Sequence, residues 1–358
     1  MIKRENFTQL LLAIALLTTA CTPSPTAQTP AQKLRSRIEE GINNKVIMLG
    51  HQDATFYGHT WKYEDNRSDV LELIGDYPAV MGYEIGAIEL GKTESLDGVP
   101  FDLIRTEIQK QHSRGGINTI SWHAYNPCGG DSWTEGEGVV TSILEGGANY
   151  DMFQKQLGIV ANFLLSLKDE SGELIPIIFR PWHEHDGNWF WWGEKWCTHD
   201  EYRRLWIMTY DFMAQRGLSE SLVWCYMPGF KGMEAKMPPV EMYDMVGLDE
   251  YQKQSEERYL SGFNTKLEVL KEYSAKYGKP ITISETGYES ILDDDWWSTV
   301  LLPAIQDEPI SYVLLWRNAW DKPEHFYCAY EGHSSAEDFK KFAASSKIAT
   351  LKDIANQK

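Results

Sequence analysis

The chain has 358 residues, 42% hydrophobic and 24% charged, ordinary values for one large α/β domain or two small ones. A net charge of −18 excludes a nucleic-acid partner, which needs a concentrated basic surface, and disfavours polyanionic substrates. Aromatic residues reach 13%, with 14 Trp; a large core is the plain explanation, and the stacking of indole faces on sugars is the functional one.

The N-terminus reads as a targeting signal. Lys3 and Arg4 precede an apolar run, Leu10 to Leu17, that is too short to span a membrane. The sequence Thr18-Thr19-Ala20-Cys21 resembles a bacterial lipoprotein cleavage site, although Leu17 stands one place further from the Cys than usual. Residues 1–20 are therefore expected to be a signal peptide, with Cys21 as lipid site, ordinary cleavage nearby being the alternative. Residues 21–30, which include Thr22-Pro23-Ser24-Pro25-Thr26, read as a tether, and 31–358 as the catalytic domain. No acidic run follows Cys21, so a periplasmic monomer is expected, touching the membrane only through its anchor. Cys128, Cys197, Cys225 and Cys328 are too widely spaced for a CxxC zinc motif; they are free thiols or halves of bridges.

Eight short apolar runs of β type follow: Val46–Gly50, Ala79–Tyr83, Asn118–Trp122, Ile175–Arg180, Leu222–Tyr226, Met245–Leu248, Ile281–Ser284 and Tyr312–Trp316. Helical patterns lie between them. From Asp151 to Leu167, apolar residues recur at three- and four-residue steps. Thr198 and Glu201 have capping-box spacing ahead of Leu205, Trp206 and Phe212. Leu267, Leu270 and Tyr273 mark another helix, which Gly278 and Pro280 end. Eight β/α units predict a single-domain (β/α)8 TIM barrel. A doubly wound open sheet is the alternative, but the Gly-rich phosphate loop expected early in such a fold is missing.

A barrel places its chemistry just past the strand ends. His51-Gln52-Asp53, Glu84, His123 with Asn126, His183-Glu184, Asp249 with Tyr251, Glu285 and Arg317-Asn318 all follow predicted strands. Glycoside hydrolysis needs two carboxyl groups across a sugar ring, one as proton donor and one as nucleophile or base. Glu184, within Phe179-Arg180-Pro181-Trp182-His183-Glu184-His185-Asp186-Gly187-Asn188-Trp189-Phe190-Trp191-Trp192, and Glu285, within Ile283-Ser284-Glu285-Thr286-Gly287-Tyr288, are suited to that pair.

These two stretches, in this order, resemble glycoside hydrolase family 26, the β-mannanases, in the clan of retaining (β/α)8 glycosidases. Trp122-His123-Ala124-Tyr125-Asn126-Pro127, Gly247-Leu248-Asp249-Glu250-Tyr251 and Leu315-Trp316-Arg317-Asn318-Ala319-Trp320 also look like family segments, so the resemblance spans residues 45 to 320. It implies Glu184 as acid/base, Glu285 as nucleophile, and β-mannan or its oligosaccharides as substrate, with no cofactor and no metal. Mixed-linkage β-glucan and β-1,3-xylan are the substrate alternatives. It further implies sugar binding by His123, His183, Asp249, Tyr251, Trp316 and Arg317. Trp189 and Trp192 read as sugar platforms, although one of that run is open to a place in the core. Tyr251 can donate a hydrogen bond that keeps Glu285 ionised. Arg180 is either a second influence on Glu285 or a barrel-interior ion pair. Two rival readings are His183-x-His185 with Asp186 as metal ligands, against which the later strands offer no further His, and a non-catalytic carbohydrate binder, which leaves the two strand-end glutamates unexplained.

Overall fold

The computed structural model describes residues 27–229, 232 and 234–355. The signal peptide, Cys21 and most of the tether lie outside the described residues. Eight parallel strands are β1 (Ile47–Gln52), β2 (Val80–Glu84), β3 (Ile117–Trp122), β4 (Ile177–Pro181), β5 (Leu222–Tyr226), β6 (Met245–Gln252), β7 (Ile281–Tyr288) and β8 (Ile310–Leu315). Each pairs with the next, and β8 pairs back onto β1 through Met48↔Tyr312 to His51↔Leu315, closing the barrel. The open-sheet alternative is thereby excluded.

Side-chain alternation sorts the core into two layers. Val80, Ile178, Val223, Met245 and Leu314 belong to a cluster inside the barrel. Ile47, Leu49, Ile120, Phe179, Val246, Ile281 and Ile283 face the surrounding helices. Helix α1 (Pro30–Asn43) lies across the closed end of the barrel: its Leu34 and Ile38 join the interior cluster, and the Ala31 N–H donates to the Glu220 carbonyl just before β5. Pro30, read as tether, is the first residue of this helix, preset there by its fixed φ and by the Thr29 capping box.

The outer helices include α2 (Asp69–Ile74), α3 (Phe101–Ser113), α4 (Val139–Ile143), α5 (Tyr150–Leu165), α6 (His199–Gln215) and α7 (Glu256–Tyr277). Both reciprocal bonds of the Thr198/Glu201 capping box are present on α6, and α7 ends at Gly278 in the left-handed region. Among the described residues, no helix is long and apolar enough to cross a membrane, and all four cysteines are free thiols, Cys128 exposed and the others buried.

One irregularity turns a candidate site residue. On β7, Ile281 and Ile283 face the helices, so strict alternation would turn Glu285 the same way. Between Leu248↔Ile283 and Asp249↔Glu285 the register slips by one residue, with Ser284 as the extra member. This bulge aims Glu285 into the barrel mouth. Ser284 is held there by bonds from its hydroxyl to the Leu248 carbonyl and the Asp249 carboxylate.

Candidate active site

The open end of the barrel holds a cavity of about 420 Å3, lined by Glu184, Glu285, His123, Trp189, Tyr251 and Trp316, together with Trp133, Phe190, Asp249, Glu250, Lys253, Lys266 and Tyr327. Strands β3, β4, β6, β7 and β8 each deliver at least one of these groups from their C-terminal ends or the loops that follow.

Glu184 sits in a turn just beyond β4 where Trp182 and Glu184 both have positive φ, +55° and +50°. Side chains with a Cβ avoid that region, so the turn stores strain and requires outside restraint. Four successive carbonyls are each claimed by a donor: Trp182 O by the Tyr202 hydroxyl at 2.8 Å, His183 O by Trp192 Nε1 at 2.8 Å, Glu184 O by the Gly187 N–H at 3.0 Å, and His185 O by Lys236 Nζ at 2.9 Å. The Glu184 carboxyl accepts from Trp189 Nε1 at 2.6 Å. Burial, followed by the negative charge of Asp249, pushes its pKa up to about 7; His123, the Trp189 bond and Lys266 act in the opposite direction. A carboxyl group poised near neutrality can hold a proton and release it.

Glu285 is surrounded by donors. Arg180, pointing inward from β4, pairs with Glu285 Oε1 through Nη2 and with Asp249 Oδ2 through Nη1 at 2.9 Å. The Tyr251 hydroxyl donates to Glu285 Oε2 at 2.6 Å. Burial raises the pKa of Glu285, and Arg180 and Tyr251 counter that shift by stabilising the anion. The two readings of Arg180 therefore merge: it is an interior ion pair, and its partner is the nucleophile candidate.

Asp249 lines the cavity, but its side chain is buried and both oxygens are engaged, by Arg180 and by the Ser284 hydroxyl at 2.7 Å. It shares the guanidinium with Glu285 and thereby fixes where that guanidinium lies. Burial raises its pKa to about 7, against the pull of Arg180.

His123 and His183 face each other, Nε2 to Nε2 at 3.1 Å. His123 Nδ1 bonds Glu84 at 2.6 Å, and the His123 N–H donates to the same carboxylate at 2.9 Å. Burial alone would keep His123 neutral, but the Glu84 charge raises its pKa to about 9. Burial and the nearby Arg180 and His123 charges hold His183 neutral. His123 Nε2–H thus donates to the His183 lone pair, and the proton of His183 rests on Nδ1, which has no partner among the described residues. In the sequence Glu84 is legible only as a strand-end residue; spacing does not reveal its pairing with a histidine from the next strand.

The two tryptophans separate. Trp189 is 44% exposed and lines the cavity. Trp192 is wholly buried, stacked on Phe190 at 4.4 Å and donating to the His183 carbonyl, so it has no face for a sugar and is a prop for the Glu184 turn. Trp133, missed in the sequence, is 49% exposed and stacks near His123. Its signal was present: a lone Trp in the Gly-rich loop Cys128–Gly138 has no apolar periodicity to explain it. Arg317 lies beside the cavity, paired with Asp97 of the β2 loop at 3.1 Å and close to Tyr57.

His185 does not converge with His183. Its ring packs on Tyr202 and Tyr226, and Nε2 bonds the Met227 carbonyl at 2.6 Å, which breaks up the rival metal motif. His183, Asp249 and Glu285 do place ligand atoms within 4.8 Å of one another, but Arg180 already bridges the two carboxylates with a fixed positive charge.

Residues 23–275 match the model of glycosyl hydrolase family 26. The chain belongs to that family. A family 26 β-mannanase from Bacteroides ovatus superposes with a TM-score of 0.88 and 42% identity, covering 91% of this chain and 96% of that one. An endo-β-1,4-mannanase variant from Cellulomonas fimi gives 0.81 and 27% identity over 92% of this chain and 77% of that one. A mannan endo-1,4-β-mannosidase of Bifidobacterium adolescentis is 29% identical over 84% of this chain, which spans only 32% of that longer protein. One from Bacillus subtilis strain 168 is 27% identical over 88% of this chain and 90% of its own length.

Proposed function

We propose that the protein hydrolyses internal β-1,4-mannosidic bonds of mannan, glucomannan, galactomannan or their oligosaccharides by double displacement. The observation that carries this reading is the pair of unlike carboxyls in one cavity: Glu184 titrating near 7, and Glu285 surrounded by Arg180 and Tyr251. The substrate class rests on relatives named as mannanases. The exposed rings of Trp189 and Trp133 suit a neutral sugar chain.

In the first step the Glu285 carboxylate attacks the anomeric carbon while Glu184 delivers its proton to the departing sugar oxygen. The glycosidic bond breaks and an ester to Glu285 forms. Glu184, now ionised, takes a proton from water, which attacks the same carbon and releases Glu285. Each displacement inverts the anomeric carbon, so the configuration is retained overall, and the two carboxyls should lie about 5–5.5 Å apart.

The test separates the two glutamates. Glu184→Ala should still react with an aryl mannoside bearing a good leaving group, giving a burst followed by slow turnover that azide accelerates. Glu285→Ala should show no burst with any substrate. Equal loss of the first step in Glu184→Ala for good and poor leaving groups, with the fold intact, refutes the acid assignment. An α-configured first product refutes retention. Faster hydrolysis of mixed-linkage glucan or β-1,3-xylan than of mannan refutes the substrate. For location, the leader and Cys21 support export to the periplasm with a lipid anchor; removal of the protein by protease on intact cells refutes that placement.

A further inference from the structure

The acid turn is tied to the segment after β5 at one residue, His185, by two bonds. The His185 ring bonds the Met227 carbonyl, and its own carbonyl accepts from Lys236, which lies on the short 3-10 turn Glu234–Lys236. Gly229, on the same segment, packs so closely against the turn that a Cβ there would lie 2.9 Å from the Asp186 Cβ. Lys236 is an odd choice for a structural donor. Its side chain is wholly buried, with the Tyr202 ring 5.5 Å away, and its bond to His185 O is the ammonium's only hydrogen bond among the described residues. Burial pushes its pKa down. A buried ammonium without a carboxylate in contact is costly, and a neutral residue would fill the same space without that cost. The other three carbonyls of the turn are held by a Tyr hydroxyl, a Trp indole and a backbone N–H, all neutral.

We propose that Lys236 is a positioning residue for the acid/base: by holding the His185 carbonyl with a charged donor, it keeps Glu184 in its left-handed conformation and its carboxyl aimed at the departing oxygen. A charged donor holds a carbonyl about twice as strongly as a neutral one, which suits a backbone that would otherwise relax out of positive φ. This inference rests on the assignment of Glu184 as acid/base.

The test uses kcat/KM, which reports the first bond-breaking step, on two substrates with the full-length enzyme. Mannopentaose has a poor leaving group and needs Glu184 in place; 2,4-dinitrophenyl β-mannobioside does not. Lys236→Met should lose about 10- to 100-fold on mannopentaose, the scale of a misplacement near 1 Å, and under about 3-fold on the aryl substrate. Its kcat on the aryl substrate should fall, with a burst and azide acceleration, because the same carboxylate must later activate water. Lys236→Arg, which keeps a charged donor, should recover most of the mannopentaose activity. Lys236→Gln, with a neutral donor of shorter reach, should fall between, and it carries the same comparison if the Met variant does not fold. Equal losses on both substrates, or none on either, overturn the proposal. A wild-type enzyme that turns over neither substrate would instead refute the proposed function, so the two failures are distinguishable.

Discussion

Trp189→Phe keeps an aromatic ring at the cavity but removes the indole N–H that lies 2.6 Å from Glu184 Oε2. That bond stabilises the ionised carboxylate, so its loss must raise the Glu184 pKa. A hydrogen bond to a charged group contributes about 1.5–3 kcal/mol. Because Trp189 is 44% exposed, water replaces part of the bond, and about 1 kcal/mol is the appropriate figure. At about 1.4 kcal/mol per pH unit, the shift is roughly 0.7 units. Glu184 must be protonated to act as the acid, so activity falls as pH rises through its pKa, near 7 in the native enzyme. The basic limb of kcat/KM against pH, measured on mannopentaose in buffers of constant ionic strength, should therefore move upward to roughly 7.7. The ratio of variant to native activity should therefore be higher above pH 8 than at neutral pH. A basic limb that stays in place, or moves to lower pH, would show that Trp189 does not bond the acid in solution.

Two further outcomes are expected. Glu84→Gln removes the charge that holds His123 protonated and should cost about 3–5 kcal/mol, as expected for a broken buried pair, measured by denaturant unfolding. The folded pKa of His123, about 9, lies above its ordinary 6.5, so its contribution is complete below about 6.5 and lost as pH rises through 9. Glu84 has a depressed folded pKa, so its contribution is lost as pH falls below the carboxylate range. The native protein should lose stability at both edges, and Glu84→Gln should flatten the alkaline one. Trp192→Leu should destabilise the fold by about 3 kcal/mol through lost packing and the orphaned His183 carbonyl, whereas Trp189→Leu should leave the melting temperature nearly unchanged and raise KM; equal thermal shifts in the two variants would contradict the division between prop and platform.

The barrel was legible because apolar runs of strand length alternate with helical patterns, and that signal survives any loop detail. Strand ends were harder to read. β6 and β7 extend to Gln252 and Tyr288, well past the predicted Leu248 and Ser284, because pairing continues through Asp249↔Glu285 to Gln252↔Tyr288 after the apolar run has stopped. The polar residues that end the pattern are the ones that line the cavity. The bulge at Ser284 leaves no mark in composition, so the inward turn of Glu285 could be expected only from the family resemblance. The positive φ of Glu184 was equally hidden, since it is imposed by donors from α6, the β5 loop and Trp192 rather than by glycine. In Trp189-Phe190-Trp191-Trp192 every residue is aromatic, so no periodicity could separate the exposed ring from the buried ones. Helix α1 is not legible because its start, Pro30 behind the Thr29 cap, follows directly on a Pro- and Thr-rich stretch that reads as linker.

Helix α1 also fixes how the molecule is presented. It closes the floor of the barrel, where Thr29 caps its start, while the cleft opens at the far rim. A support joined at Thr29 would therefore meet the molecule on the face opposite the cleft. Attachment through that end is thus an oriented immobilisation, in which a long polymer can thread across the cleft without meeting the support.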